Sequence, residues 1–177
     1  MSERDGAGVV LRPVYEEDLA VFERFLTDPE AAGPFQWYGW ADPARFRREW
    51  QEDGMIGEDG GRLAVATGPD VHGFVGWRKR VVSRSSYCWV VGIQLLPEAR
   101  GRGVGTRAQE LLVRHLFAHT PVERVQADTE VENVAEQRAL EKCGFTREGV
   151  LRRIVFRDGQ WRDGVMYSMV RGDLGTP

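Results

Sequence analysis

The sequence predicts an α/β (α+β) protein built on one mixed sheet with helices packed against it, and three observations carry that expectation. Short apolar runs bounded by Gly, Pro, Asn and Asp read as strands, while other stretches repeat their apolar residues at helical spacing. The elements follow the order β-α-α-β-β-β-α-β-α-β-β, about seven strands and about four helices. Early strands are joined by short turns and later ones through helices, which implies both antiparallel and parallel neighbours.

At 177 residues the chain has the length of one ordinary domain, expected over 9–174 behind a polar, Gly-containing tail at 1–8. Val9 to Val14 reads as the first strand, with Pro13 near its end. From Glu16 to Thr27, Leu19, Phe22, Phe25 and Leu26 form a helical stripe that Pro29 closes, and acidic residues crowd its favourable first turn. Gly33 to Trp40 is aromatic but too broken by Gly and Pro for a regular element. Asp42-Pro43 starts a second helix, with Phe46 and Trp50 on one face and a stop near Gly54. Gly57 to Arg62 is expected as a turn-rich connector.

Leu63 to Thr67 and Val71 to Val82 then form a hairpin across Gly68-Pro69-Asp70. Tyr87 to Leu95 is a further strand, in which Gly92 marks an expected bulge or close backbone approach. A helix with apolar positions at Val104, Ala108, Leu111, Leu112 and Leu116 follows, then a strand over Val122 to Thr129. The helix from Asn133 ends at Cys143-Gly144, Gly being a preferred residue after a helix end. Gly149 to Phe156 and Trp161 to Val170 close the chain as a hairpin whose turn, Arg157-Asp158-Gly159-Gln160, carries the Asp-Gly signal.

Composition excludes several classes. No apolar run approaches the roughly 20 residues of a membrane span, and Met-Ser-Glu-Arg-Asp-Gly has no apolar leader, so a cytoplasmic protein without a membrane partner is expected. A net charge of -3 argues against nucleic acid, which needs clustered exposed cations, and favours an amine-bearing partner. Cys88 and Cys143 lack metal-ligand spacing; His115 and His119 stand four apart without an evident third ligand, so no metal is expected.

The chain is organised around Leu-Leu-Pro-Glu-Ala-Arg-Gly-Arg-Gly-Val-Gly-Thr, residues 95–106, where a strand enters a glycine-rich turn that opens a helix. Gly101, Gly103 and Gly105 allow positive φ and close backbone approach, and the helix N-terminus adds partial positive charge, which makes an anion cradle suited to phosphate. Arg100, Arg102 and Arg107 are expected to surround it with mobile charge. A Walker loop is disfavoured because Gly105, and not Lys, precedes Thr106. A dinucleotide fingerprint fits loosely as Gly103-x-Gly105-x-x-Ala108 with Glu123 or Asp128 further on, but Pro97 to Arg100 separate the strand from the glycines.

The third pattern, Arg-x-x-Gly-x-Gly at Arg100, Gly103 and Gly105, resembles the pyrophosphate motif of the GNAT superfamily of acyl-CoA N-acyltransferases. The run Glu132-Asn133-Val134-Ala135-Glu136-Gln137-Arg138-Ala139-Leu140-Glu141-Lys142-Cys143-Gly144-Phe145 resembles the Asn-x-x-Ser-x-Arg-x-x-Glu-Lys-x-Gly-Phe signature that follows it. With Val10-Leu11-Arg12-Pro13 and Tyr167-Ser168-Met169, the resemblance spans essentially the whole chain and points to the ribosomal-protein N-terminal acetyltransferase (RimJ/RimL) branch. It implies a GNAT-type, mostly antiparallel central sheet and direct transfer of an acetyl group from acetyl-CoA to a primary amine of a small molecule or peptide N-terminus. A homodimer is left open.

By the same resemblance, acetyl-CoA is held by Ile93, Gln94 and Leu95 on a splayed strand, by the cradle at Arg100, Gly101, Arg102, Gly103, Val104, Gly105 and Thr106, and by Asn133. The aromatic loop implies Trp37 and Tyr38 at the acceptor. Glu136 replaces the signature Ser, to which an acid role toward the leaving thiolate belongs. Its spacing from Asn133 is also that of a capping box, in which the Glu side chain reaches back to the cap. No carboxylate lies between Tyr87 and Leu95, so no base is expected on that strand. Two other functions remain: a catalytically idle acyl-CoA-binding sensor, and a nicotinamide-dependent oxidoreductase.

Overall fold

The computed structural model describes Gly6 and residues 8–174, so the expected tail lies outside the described residues except for its two glycines. The strands are β1 (Val9–Arg12), β2 (Ile56–Gly57), β3 (Gly60–Thr67), β4 (Asp70–Ser83), β5 (Ser86–Leu95), β6 (Arg124–Glu130), β7 (Thr146–Arg157) and β8 (Gln160–Val170). The helices are α1 (Leu19–Thr27), α2 (Pro29–Ala32), α3 (Arg45–Asp53), α4 (Val104–His119) and α5 (Val134–Lys142). One sheet runs β1-β3-β4-β5-β6-β8-β7, with the short β2 paired to β3. β5 and β6 run parallel, and the other paired strands run antiparallel. The fold is therefore the expected mixed, mostly antiparallel α/β sheet, with one more strand and one more helix than the pattern suggested.

Both additions have local causes. Pro29 does not simply end the first helix: Asp28 accepts a hydrogen bond from the Glu30 N–H (2.9 Å) and caps a new turn with Pro29 in its first position. Gly57 to Arg62 is not an open connector, because β2 and β3 fold back across it, Ile56 opposite Gly61. Gly61 is required there, since a Cβ would stand 2.7 Å from the Trp77 ring. The second helix begins later than expected. Asp42 Oδ1 accepts from the Ala44 N–H (2.9 Å) and forms a turn that precedes α3 at Arg45. The closing hairpin agrees with its turn residues, Asp158 (φ 51°) and Gly159 (φ 72°) both taking the positive φ of a two-residue turn.

Helices cover both faces of the sheet. On one, Leu19, Phe22 and Leu26 of α1 and Phe46 of α3 pack on Ala64 and Phe74; on the other, Ala108, Leu112, Val113 and Leu116 of α4 pack on Val65, Val75 and Val125. Ala64 and Val65 are adjacent in β3 yet belong to opposite cores, as the period of two in a strand buried on both faces dictates. Phe22, fully buried against Phe46 and Phe74, contributes about 1.5–3 kcal/mol through burial.

The functional feature of the sheet lies where its parallel pair begins. β5 and β6 pair only at Trp89 with Val125 and Val90 with Gln126, and beyond them the strands diverge. Gly92 forms no bulge: it pairs in register with Gly76 of β4, and a Cβ there would meet nothing within 4 Å. The opening comes from divergence of two strands, and Gly92 borders it.

Candidate functional site

Two cavities meet at this divergence. The first, about 510 Å³, lies between the glycine-rich turn and α5, lined by Ile93, Gln94, Leu95, Arg100, Gly101, Gly103, Gly105, Thr106 and Asn133. These are nine of the residues named for the cofactor. The other two take different places: Val104 turns into the core of the sheet, and Arg102 reaches back to the Glu98 carbonyl (3.4 Å).

The cradle's backbone has the geometry that anion binding needs. Gly101 (φ 70°) and Gly103 (φ 74°) take the left-handed conformation, whereas Gly105 is helical and serves by its small size. Gly103 caps α4 without a side-chain partner, so the first-turn N–H groups face the cavity with no acceptor inside the helix. The cationic rim differs from the expected one. Arg100 is pinned, donating from Nε to the Leu95 carbonyl (2.9 Å) and from Nη2 to the Ala31 carbonyl, and Arg107 pairs with Glu110 (3.2 Å). Arg138 and Lys142 of α5 line the cavity as well, without such backbone ties among the described residues. Their spacing of four with Ala135 and Ala139 beside them was the available signal, a helix face left open by small residues.

Along the open edge of β5, the Ile93 carbonyl accepts from Gln36 Nε2 (2.8 Å) and the Leu95 carbonyl from Arg100. In a strand the N–H and C=O of one residue point to the same edge, so the Ile93 and Leu95 N–H groups also turn toward the opening.

The second cavity, about 620 Å³, lies across the sheet opening and is lined in part by Tyr38, Phe74 and Trp77, by Glu49, Glu52 and Asp53 of α3, and by Asp128 and Glu130 of β6. Arg62 and Arg78 are its cations, Arg62 being paired with Glu49. Glu130 is held by the buried Arg157 through two hydrogen bonds (2.7 and 2.9 Å), an ion pair 27 residues apart in sequence that no local pattern announces. Of the two aromatics named for the acceptor, only Tyr38 lines this cleft; burial and the Glu130 carboxylate push its phenol above the ordinary value. Trp37 lies instead in a separate hollow with Pro34, Pro97 and Arg157, its ring edge-on to Trp40 at 6.0 Å.

Asn133 and Glu136 line both cavities. Asn133 caps α5, its Oδ1 accepting from the Glu136 N–H (3.3 Å) while Nδ2 donates to Thr129 Oγ1 (3.0 Å). The capping box forms only by half, because the Asn133 N–H donates to the Glu130 carbonyl (2.9 Å) and not to the Glu136 side chain. Burial pushes the Glu136 carboxyl up to about 7, and the Gln109 amide opposes the rise. A carboxyl balanced near neutrality can both take and release a proton.

The thiols are unsuited to covalent catalysis. Burial, then Glu110 and Glu136, pushes Cys143 up to about 12, and its Sγ donates to the Thr106 carbonyl (3.2 Å); Cys88 is buried in the sheet. The rings of His115 and His119 lie 4.7 Å apart, and among the described residues no third His, Cys, Asp or Glu joins them.

Known proteins match this arrangement. Residues 9–146 match the family described as acetyltransferase (GNAT) domain. A prophage-derived uncharacterized N-acetyltransferase of Bacillus subtilis, YokL, is 24% identical over 169 residues, 96% of this chain and 93% of its own. The structure of spermidine N-acetyltransferase from Vibrio cholerae, in complex with CoA and spermine, superposes with a TM-score of 0.81 at 16% identity, covering 94% of this chain and 98% of that one. Mycobacterium smegmatis RimJ, in complex with CoA-disulfide, gives 0.79 at 22% identity over 98% and 87%. The nicotinamide alternative is thereby set aside, as the glycine turn follows a 3-10 turn at Pro97–Ala99 and not the strand itself. Splayed strands, an uncapped glycine turn and a family match over most of the chain lead to one conclusion: the chain belongs to the GNAT acetyltransferase family.

Proposed function

We propose that the protein transfers the acetyl group of acetyl-CoA directly to a primary amine of a small molecule or peptide N-terminus, with Glu136 carrying the proton. The observation behind this reading is the position of Glu136 on the wall shared by the two cavities. Acetyl-CoA supplies an activated thioester. The first-turn N–H groups of α4, with Arg138 and Lys142, fit its phosphates, and the open edge at Ile93 and Leu95 fits its amide-bearing arm.

The amine side is the cleft at Tyr38. Its carboxylates outnumber its guanidiniums and draw in a cationic amine, while Phe74, Trp77 and Tyr38 provide apolar walls. As the C–N bond forms, the Glu136 carboxylate accepts the proton released from nitrogen. As the C–S bond breaks, the same carboxyl returns that proton to sulfur. No acyl-enzyme is needed, in keeping with the raised Cys143 thiol.

The test is release of free thiol from acetyl-CoA with a panel of diamines and short peptides, followed across pH. Turnover at subsaturating amine is expected to rise through about pH 7 as Glu136 ionises. Glu136→Gln should lower it by about 100-fold or more, the range of general acid-base catalysis. A folded Glu136→Gln protein that keeps its turnover within about threefold of the parent removes Glu136 from the chemistry.

A further inference from the structure

The two cavities share a partition to which the aromatic loop, residues 33–40, contributes Phe35 and Gln36, β5 contributes Ile93 and Gln94, and α5 contributes Asn133 and Glu136. Gln36 crosses it. Its Nε2 donates to the Ile93 carbonyl (2.8 Å), and among the described residues this is the only side-chain hydrogen bond from 33–40 to another element. The loop is anchored just outside its two ends. Arg100 joins the Ala31 carbonyl to that of Leu95, and the Ala41 N–H donates to the Leu26 carbonyl (3.0 Å). Between those anchors Gly33 (φ 82°) and Gly39 (φ 101°) take positive φ, where the backbone turns most freely. Tyr38, two residues beyond Gln36, lines the amine cleft and not the cavity beside the glycines.

Gln36 is exposed, so water competes for both partners of its hydrogen bond and the bond by itself holds the loop weakly. The Ile93 carbonyl stands on the open edge of β5, beside the N–H groups that face the cavity. A ligand arm lying along that edge excludes the water. Lifting the loop then strands a carbonyl and an amide without replacement partners, and a marginal bond becomes costly to break. We infer that Gln36 is a positioning residue through which coenzyme A, bound along β5, fixes the aromatic loop and carries Tyr38 into place at the amine cleft. This role rests on the proposed binding of acetyl-CoA in the glycine-lined cavity. Such coupling is reciprocal, so an amine seated at Tyr38 tightens coenzyme A by the same factor.

Amide hydrogen exchange with coenzyme A as the probe tests this role. The Trp37 and Ala41 N–H groups report the loop, since they bond to the Gly33 and Leu26 carbonyls and neither residue lines the glycine cavity. In the parent, coenzyme A should slow exchange at residues 104–106 of the cradle and, by about fivefold or more, at Trp37 and Ala41. In Gln36→Met, which keeps the length of the side chain without its donor, the slowing at 104–106 should persist and that at Trp37 and Ala41 should vanish. Gln36→Lys, which restores a donor, should bring part of it back. A side chain that merely packs the loop would instead alter exchange equally with and without coenzyme A. Slowing at Trp37 and Ala41 that survives in Gln36→Met, that Gln36→Lys fails to restore, or that the parent lacks while 104–106 are protected, overturns Gln36 as the link and leaves coenzyme A binding intact. No slowing at either place removes coenzyme A from the glycine-lined cavity and the coupling with it.

Discussion

Replacing Glu136 with Gln should make the protein less active and more stable, and the gain in stability should depend on pH. In the folded chain burial raises this carboxyl from an ordinary 4.5 to about 7. At about 1.4 kcal/mol for each pH unit, ionising it in the folded state is about 3 kcal/mol harder than in the unfolded chain. Below the unfolded value both states hold the proton, and the group's contribution to stability is fully present. As pH rises toward 7 the unfolded chain ionises while the folded one keeps its proton, so that contribution is lost, and above the folded value the whole cost is felt. A neutral Gln of the same shape avoids the cost. For a chain of this length about 3 kcal/mol corresponds to a melting temperature higher by about 6–12 °C near pH 8.5, shrinking toward zero near pH 4.5. Melting followed by tryptophan fluorescence across that range, on parent and variant without ligand, makes the measurement. A difference that stays constant with pH refutes the reasoning, because a purely steric effect of the substitution carries no pH dependence.

The remaining predictions concern the cradle, the acceptor cleft and the buried ion pair. Gly103→Val places a β-branched residue at φ 74°, a strain of about 1–2 kcal/mol or more, and should abolish the acetyl-CoA-induced rise in melting temperature; the parent should gain about 2.7 kcal/mol at 100 times the dissociation constant. Tyr38→Ala should raise the acceptor's KM with little change in the acetyl-CoA shift, and Trp37→Ala should leave both unchanged, since Trp37 lies in the other hollow; the reverse result moves the acceptor to that hollow. Glu130→Gln leaves the Arg157 guanidinium, 7% exposed, with only the solvent-exposed Asp158 as a charged partner and should cost up to about 3–5 kcal/mol, while the double variant Glu130→Leu with Arg157→Leu should recover much of that loss in urea melts.

What the amino-acid order alone determined was local. Apolar spacing located the strands other than β2 and the helices α1, α3, α4 and α5, Asp158-Gly159 set the closing turn, and the glycines of residues 101–105 with Asn133 marked the cradle and the helix cap facing it. These features rest on φ preferences and periodicities of a few neighbouring residues, which any unfolded stretch already carries. Even there, short range misled at Gly57 to Arg62, where turn residues were drawn into a strand pair by packing against Trp77. Tertiary structure alone decided which charges meet the cavities. Arg100 lines the cavity beside the glycines but spends its guanidinium on two backbone carbonyls, Arg138 and Lys142 reach that cavity from α5, and Trp37 was separated from Tyr38, its neighbour in sequence. Glu136 carries the point furthest. Its spacing from Asn133 matches a capping residue, but a carboxyl's proton affinity depends on how much solvent remains around it after folding, and here burial by elements from other parts of the chain raises it.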